Sequence, residues 1–166
     1  TIREHKSRLE GLKMCYIGDG NNMANSLIVG GLKVGMEVSV ACPEGYDPDP
    51  KVLEFAQNCG GKFTLCRDPK EAAAGADAMF TDVWASMGQE GESQARRAVF
   101  EGVYQINSEL MGLTNAGCMV QHCLPAHRGE EITADVFEAH AGEIFDEAEN
   151  RLHAQKAVMY LLMGEQ

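Results

Sequence analysis

Short apolar runs alternate along the chain with stretches in which apolar residues recur every three or four positions. LKMCYIGD (12–19), VSVAC (38–42), KFTLCR (62–67), AMFTDV (78–83), CMVQHC (118–123) and EIFD (143–146) predict strands. Between them NMANSLIVGGLKVG, DPKVLEFAQNCG, DPKEAAAGA, EGESQARRAVFEG, SELMGLTNAG and ITADVFEAHAG predict helices or helix with loop. Strands buried on both faces read as continuous apolar runs, and strand–helix–strand repetition is the mark of a parallel sheet covered on both sides. The expected fold is therefore α/β: a doubly wound, mainly parallel sheet flanked by helices in three layers, Rossmann-like, with ligands at the carboxyl ends of the strands.

Helix boundaries support this reading. Asp49-Pro50 and Asp68-Pro69 each set a capping carboxylate before a proline at the first helical position, and Gly60 and Gly75 follow the expected ends. No repeat or low-complexity linker divides residues 1–166, which predicts a single domain. The last stretch, DEAENRLHAQKAVMYLLMGEQ, predicts a long amphipathic helix. Its apolar residues Leu152, Ala154, Ala157, Val158, Leu161 and Leu162 exceed one narrow stripe, so part of that surface needs a partner.

Composition narrows the function. Fourteen basic against twenty-five acidic side chains leave a net charge of −11, which argues against a nucleic-acid partner. No apolar run reaches the roughly 18 residues of a membrane span, and the opening TIREHKSRLE has no apolar signal core, so a cytoplasmic protein is expected. The six cysteines show no CxxC spacing, and Cys15, Cys42, Cys66 and Cys118 lie in apolar runs, which predicts buried reduced thiols.

Four segments are least explained by packing: GDGNN, TDVWASMGQE, HCLP and DEAENR. Each follows a predicted strand, so all four should meet at one edge of the sheet. Gly18-Asp19-Gly20-Asn21-Asn22 opens like a dinucleotide fingerprint, but position 23 is Met where the third glycine belongs, and Glu44 is a weak substitute for the ribose-binding acid. The residues fit a tight turn with an asparagine cap, or a site for a carboxylate or amino group. Asp82 ends an apolar run, where a carboxylate is costly unless it caps a helix or meets a cation. Trp84 beside it reads either as a core aromatic or as part of a contact loop.

HCLPAHRG holds a thiol between two histidines. Zinc and other metals are not expected, because Leu-Pro separates His122 from His127 and no second Cys or His cluster lies at finger spacing. Adjacent residues of a strand face opposite sides, which removes His122 as a base for Cys123. Leu124-Pro125 predicts a constrained strand end, with a cis bond as one form of it. Arg151, among the acids of the last segment, reads either as a salt-bridge partner or as the one evident anion contact.

Together, in this order and at these separations, GDGNN, TDVWASMGQE, HCLPAHRGEE and DEAENRLHAQ closely resemble the ornithine carbamoyltransferase family, from about Leu12 to Gly164. The resemblance is to that family's second, ornithine-binding domain. The Ser-Thr-Arg-Thr phosphate loop and His-Pro-x-Gln segment of its first domain do not occur in this sequence. The resemblance implies that residues 1–10 end an interdomain linker helix and that the 147–164 helix packs against the first domain. It also implies that this chain holds half an active site and is inactive alone.

By motif position, the resemblance assigns Asn22, Asp82, Ser86 and Met87 to the α-amino and α-carboxylate groups of L-ornithine. It sets Cys123 beside the attacking side-chain amine, Leu124 with its backbone carbonyl towards the carbamoyl group, and Arg151 on the carbamoyl oxygen. Cys123, Leu124 and Arg151 would thus be this chain's contacts with carbamoyl phosphate, and the products citrulline and phosphate. No cofactor is implied, and the family's assembly is a homotrimer or larger. An alkyl amine of pKa near 10.4 gives up its proton at neutral pH at a cost of roughly 4 kcal/mol, which a thiol or carbonyl nearby can help to direct. Rival readings are a putrescine or acetylornithine carbamoyltransferase domain, a nucleotide-binding oxidoreductase domain resting on the incomplete glycine motif, and a non-catalytic amino-acid-binding module.

Overall fold

The computed structural model describes residues 1–85, 91 and 93–164. Five strands, β1 (Lys13–Ile17), β2 (Glu37–Ala41), β3 (Phe63–Cys66), β4 (Ala78–Thr81) and β5 (Met119–His122), form one sheet in the order β3-β2-β1-β4-β5. Every neighbouring pair is parallel, with Cys15 opposite Ser39 on one side and Met79 on the other. The chain builds outward from β1 to β3, then returns to lay β4 on the other side of β1. That reversal leaves a crevice beyond the carboxyl ends of β1 and β4, where doubly wound sheets take their ligands.

The helices are α1 (Ile2–Lys6), α2 (Asn22–Lys33), α3 (Pro50–Asn58), α4 (Pro69–Ala73), α5 (Ser93–Phe100), α6 (Ser108–Met111), α7 (Ala134–Ala139) and α8 (Ala141–Met163). Side-chain alternation along the strands divides the core into two layers. Met14 and Tyr16 pack with Ile28 and Leu32 of α2 and Ala56 of α3. Cys15 and Ile17 pack with Ala72 of α4, Phe100 of α5, Phe137 of α7 and Ile144 of α8. Asp49 and Asp68 cap α3 and α4 as expected, each accepting an N–H two residues on, at 2.8 and 2.9 Å.

The expected sixth strand, EIFD (143–146), is instead part of α8. Its role beside the sheet is nevertheless that of an edge cover. The Glu143 side chain accepts the Val120 N–H at 2.9 Å, and its carbonyl accepts from Gln121 Nε2 at 3.1 Å, so polar groups of edge strand β5 are satisfied by a helix. DEAENR consequently lies inside a helix and does not open one after a strand.

All six cysteines are free thiols, but only Cys15, Cys42 and Cys118 are buried, while Cys59 is exposed and Cys66 half-buried. Burial pushes the Cys15 and Cys42 thiols up to about 12. Beyond Asn150 every described residue of α8 is exposed, and Leu152, Val158, Leu161 and Leu162 stand 55–80% exposed. Among the described residues no helix is long and apolar enough to cross a membrane.

Candidate functional site

The site starts at the carboxyl end of β1. Gly20 lies against the backbone of residues 46–48, where a Cβ would collide with Asp47 and Pro48, and its N–H bonds the Tyr46 carbonyl at 2.8 Å. In a dinucleotide fingerprint the second glycine makes room for a pyrophosphate. Here that room is filled by the chain's own loop. Glu44 is exposed.

Asp19, between the two glycines, turns inward to a buried ion pair with Arg96, Nη1 to Oδ2 at 2.6 Å, both side chains 10% exposed. Burial raises the Asp19 carboxyl above its ordinary range, the Arg96 bond and charge pull it back down, and the nearby Asp82 charge pushes it up again. Arg96 also bonds the Trp84 carbonyl at 3.0 Å and lies over the Tyr46 ring. One guanidinium therefore ties the turn after β1 to the segment after β4.

Asn21 is the N-cap of α2, its Oδ1 accepting the N–H groups of Met23 and Ala24 at 2.9 and 3.2 Å. With the oxygen so engaged, its amide nitrogen is left to donate to Asp82 Oδ2 at 2.7 Å, across the crevice between β1 and β4. Asp82 is 6% exposed. Its Oδ1 accepts the Val83 N–H at 2.8 Å and the Cys123 thiol at 3.0 Å. A carboxylate offers about four acceptor sites. Among the described residues three are occupied, which leaves capacity for one incoming donor.

Cys123 follows β5. Burial, the hydrogen bond to Asp82 and the charges of Asp82 and Glu147 together push its thiol well above the ordinary range, with Arg151 opposing weakly. It is held as a thiol donor, not as a thiolate. Its backbone carbonyl accepts from Arg151 Nη1 at 3.1 Å, so α8 reaches the site although no strand precedes it. Leu124, left-handed at φ 58°, precedes a cis peptide bond to Pro125 and donates its N–H to His122 Nδ1 at 2.9 Å. His122 is fully buried, and its Nε2 bonds Glu131 Oε1 at 3.0 Å. Glu131 Oε1 also accepts the His127 N–H at 2.6 Å, closing the loop after β5 onto one buried carboxylate.

Of the expected site residues, the structure gathers Asp82, Cys123, Leu124 and Arg151 at one edge of the sheet. Asn22 sits exposed in the first turn of α2, one residue beyond the asparagine that meets Asp82. Ser86 and Met87 lie outside the described residues. Trp84 is 3% exposed, stacks on Phe100 and donates its Nε1–H to the Tyr104 carbonyl at 3.2 Å, so it serves the core. Sequence reasoning missed Arg96, His122 and Glu131 as site-builders, none of which carried a local signal. The asparagine cap expected in GDGNN is Asn21, but its reach to Asp82 was not legible locally.

A doubly wound domain with a small polar site at its switch point, built from a buried carboxylate, a protonated thiol and an arginine, suits a compact ligand bearing an amine. The comparisons agree with that class. Residues 10–162 match the family description Aspartate/ornithine carbamoyltransferase, Asp/Orn binding domain. The ornithine carbamoyltransferase of Thermococcus kodakarensis is 54% identical over 99% of this chain and 53% of its own length. That of Gloeobacter violaceus is 56% identical over 99% of this chain and 53% of its own. The solved ornithine carbamoyltransferase of Pyrococcus furiosus superposes with a TM-score of 0.90 at 49% identity, covering 99% of this chain and 54% of that one. The chain belongs to the aspartate/ornithine carbamoyltransferase family and corresponds to its Asp/Orn-binding domain. It spans about half the length of the relatives it matches.

Proposed function

We propose that this chain supplies the ornithine side of a site that transfers the carbamoyl group of carbamoyl phosphate to the side-chain amine of L-ornithine, giving citrulline and phosphate. The observation that carries the reading is Asp82: a buried carboxylate, held by Asn21 and Cys123, with acceptor capacity left for an ammonium group. Asn22, Ser86 and Met87 are proposed to complete the amino-acid head-group site. The Cys123 thiol, protonated and bonded to Asp82, orients the attacking amine and does not form an acyl intermediate. The Leu124 carbonyl accepts a hydrogen bond from the amine or carbamoyl N–H, and Arg151 faces the carbamoyl oxygen as negative charge develops there.

Carbamoyl phosphate is a compact dianion, and a chain of net charge −11 is ill-suited to hold it with Arg151 alone. We assign most phosphate contacts to the part of the relatives that this chain does not span. The exposed apolar face of α8 from Leu152 to Leu162 is assigned to the same part, and the chain alone is proposed to be inactive. The working assembly is proposed as a homotrimer or larger, acting in the cytoplasm.

The test is a titration followed by backbone NMR, with ornithine, N-acetylornithine, putrescine and aspartate as separate ligands. Ornithine should perturb residues around Asp82 and Cys123 most strongly. Asp82→Asn should weaken ornithine binding by about 10–150-fold, the equivalent of a charged hydrogen bond worth roughly 1.5–3 kcal/mol. Equal binding by parent and variant, or preference for a ligand lacking the α-ammonium, would overturn the assignment.

A further inference from the structure

The geometry points to a divalent transition-metal site at His127, Glu130 and Glu131, on the loop that follows the Cys123 strand end. The turn from His127 to Glu130, closed by the Glu130 N–H on the His127 carbonyl at 2.9 Å, brings the three side chains to one side. One ligand atom from each lies within 4.8 Å of the other two. The pattern is one histidine with two carboxylates, outside finger spacing, so it carries no motif in the sequence.

Glu131 supplies an independent reason to expect a ligand. Its side chain is fully buried, and Oε1 already accepts from His122 and from the His127 N–H. Oε2 is buried too, yet has no hydrogen-bond donor among the described residues, and it faces His127 Nδ1 at 3.9 Å. A buried carboxylate oxygen is costly to leave unsatisfied. At 3.9 Å the imidazole is too far to satisfy it by a hydrogen bond. The gap instead suits a bridging atom. Two ligands at about 2.0–2.2 Å from one ion stand roughly 3.0–3.5 Å apart. Closing the difference takes about half an ångström, which rotation of the half-exposed His127 ring can provide.

The donor set selects the class of ion. One imidazole and two carboxylates match zinc and its neighbours cobalt, nickel and manganese better than calcium or magnesium, which prefer all-oxygen cages. Three protein ligands leave the remaining positions to water. Glu130 is shared, because it also pairs with Arg97. Arg97 is thus the built-in competitor for the cation. A bound ion would brace residues 127–131 against Glu131, and through Glu131 and His122 the backbone amide of Leu124.

The test uses Co²⁺ and Zn²⁺ titrations of the chain, followed by calorimetry and by the visible spectrum of the cobalt form. The expected result is saturable binding of a single equivalent with weak d–d bands and no thiolate charge-transfer band. His127→Asn and Glu130→Gln, both at partly exposed positions where folding is not at stake, should each weaken binding about tenfold or more. Arg97→Ala should tighten it by releasing Glu130. An absence of saturable binding, a thiolate charge-transfer band, or unchanged affinity in His127→Asn would overturn the proposal. The outcome is independent of whether ornithine binds at Asp82.

Discussion

Arg96→Met tests the strut that joins the turn after β1 to the segment after β4. Methionine keeps the length and apolar stem of arginine on α5 but removes the guanidinium, leaving Asp19 without its 2.6 Å partner and the Trp84 carbonyl without its 3.0 Å donor. Breaking one side of a buried ion pair typically costs about 3–5 kcal/mol. For a domain of this size, each kcal/mol lowers Tm by about 2–4 °C, so the expected fall near neutral pH is roughly 6–20 °C.

The deficit should depend on pH, and its sign follows from Asp19. Burial raises this carboxyl in the folded state, and Arg96 is the chief influence pulling it down. Removing Arg96 raises it further. A carboxyl raised on folding favours the folded state while protonated and loses that contribution as pH climbs from the unfolded value through the folded one. The variant's extra deficit should therefore be small at about pH 4 and grow by up to about 1.4 kcal/mol per pH unit once the parent's own raised Asp19 ionises, until Asp19 ionises in the variant's fold as well. The loss of the Trp84 contact, about 1 kcal/mol, should persist at every pH. Urea unfolding of parent and variant at about pH 4 and pH 7.5 measures the double difference, in which the other carboxylates cancel. Parallel deficits at both values would refute the argument.

Two further predictions concern the neighbouring residues. Because the Asp82 hydrogen bond and charge help to push the Cys123 thiol up, iodoacetamide at about pH 8 should modify exposed Cys59 well before Cys123, and Asp82→Asn should speed modification at Cys123. Peptide mass mapping over time reads both, and an unchanged rate at Cys123 in the variant would remove Asp82 as the cause. Asn21→Ala should cost about 1–3 kcal/mol in urea unfolding, since it removes the cap of α2 and a donor to buried Asp82 together. Asn22→Ala, at an exposed position, should cost much less, and similar losses in the two would contradict the capping assignment.

Local pattern decided much of this architecture. Five apolar runs became the five parallel strands, and Asp-Pro pairs started α3 and α4 where proline geometry and a capping carboxylate agree. The positions of Asp82 and Cys123 at strand ends were legible for the same reason: polar residues that terminate apolar runs must lie where the sheet stops. EIFD misled because four residues with two adjacent apolar side chains satisfy a strand as readily as one turn of helix. What separates the two is contact with β5, where Glu143 of α8 takes the edge hydrogen bonds.

The partners at the site were a different matter. Arg96 sits in SQARRAVF, which reads as a solvated helix face, yet it is buried against an aspartate 77 positions away. Glu131 looks like one of two surface acids after a turn, yet it is the fully buried anchor of His122 and the His127 amide. Which of two adjacent asparagines reaches Asp82 depends on a helix boundary of one residue. The sequence by itself determined the elements, their order and the residues stranded at strand ends, because hydrophobic periodicity and capping act over a few residues. Tertiary structure alone decided which charges are buried and with whom, because the favourable pairing of such groups depends on distance through space and on exclusion of water, neither of which is written locally in the chain.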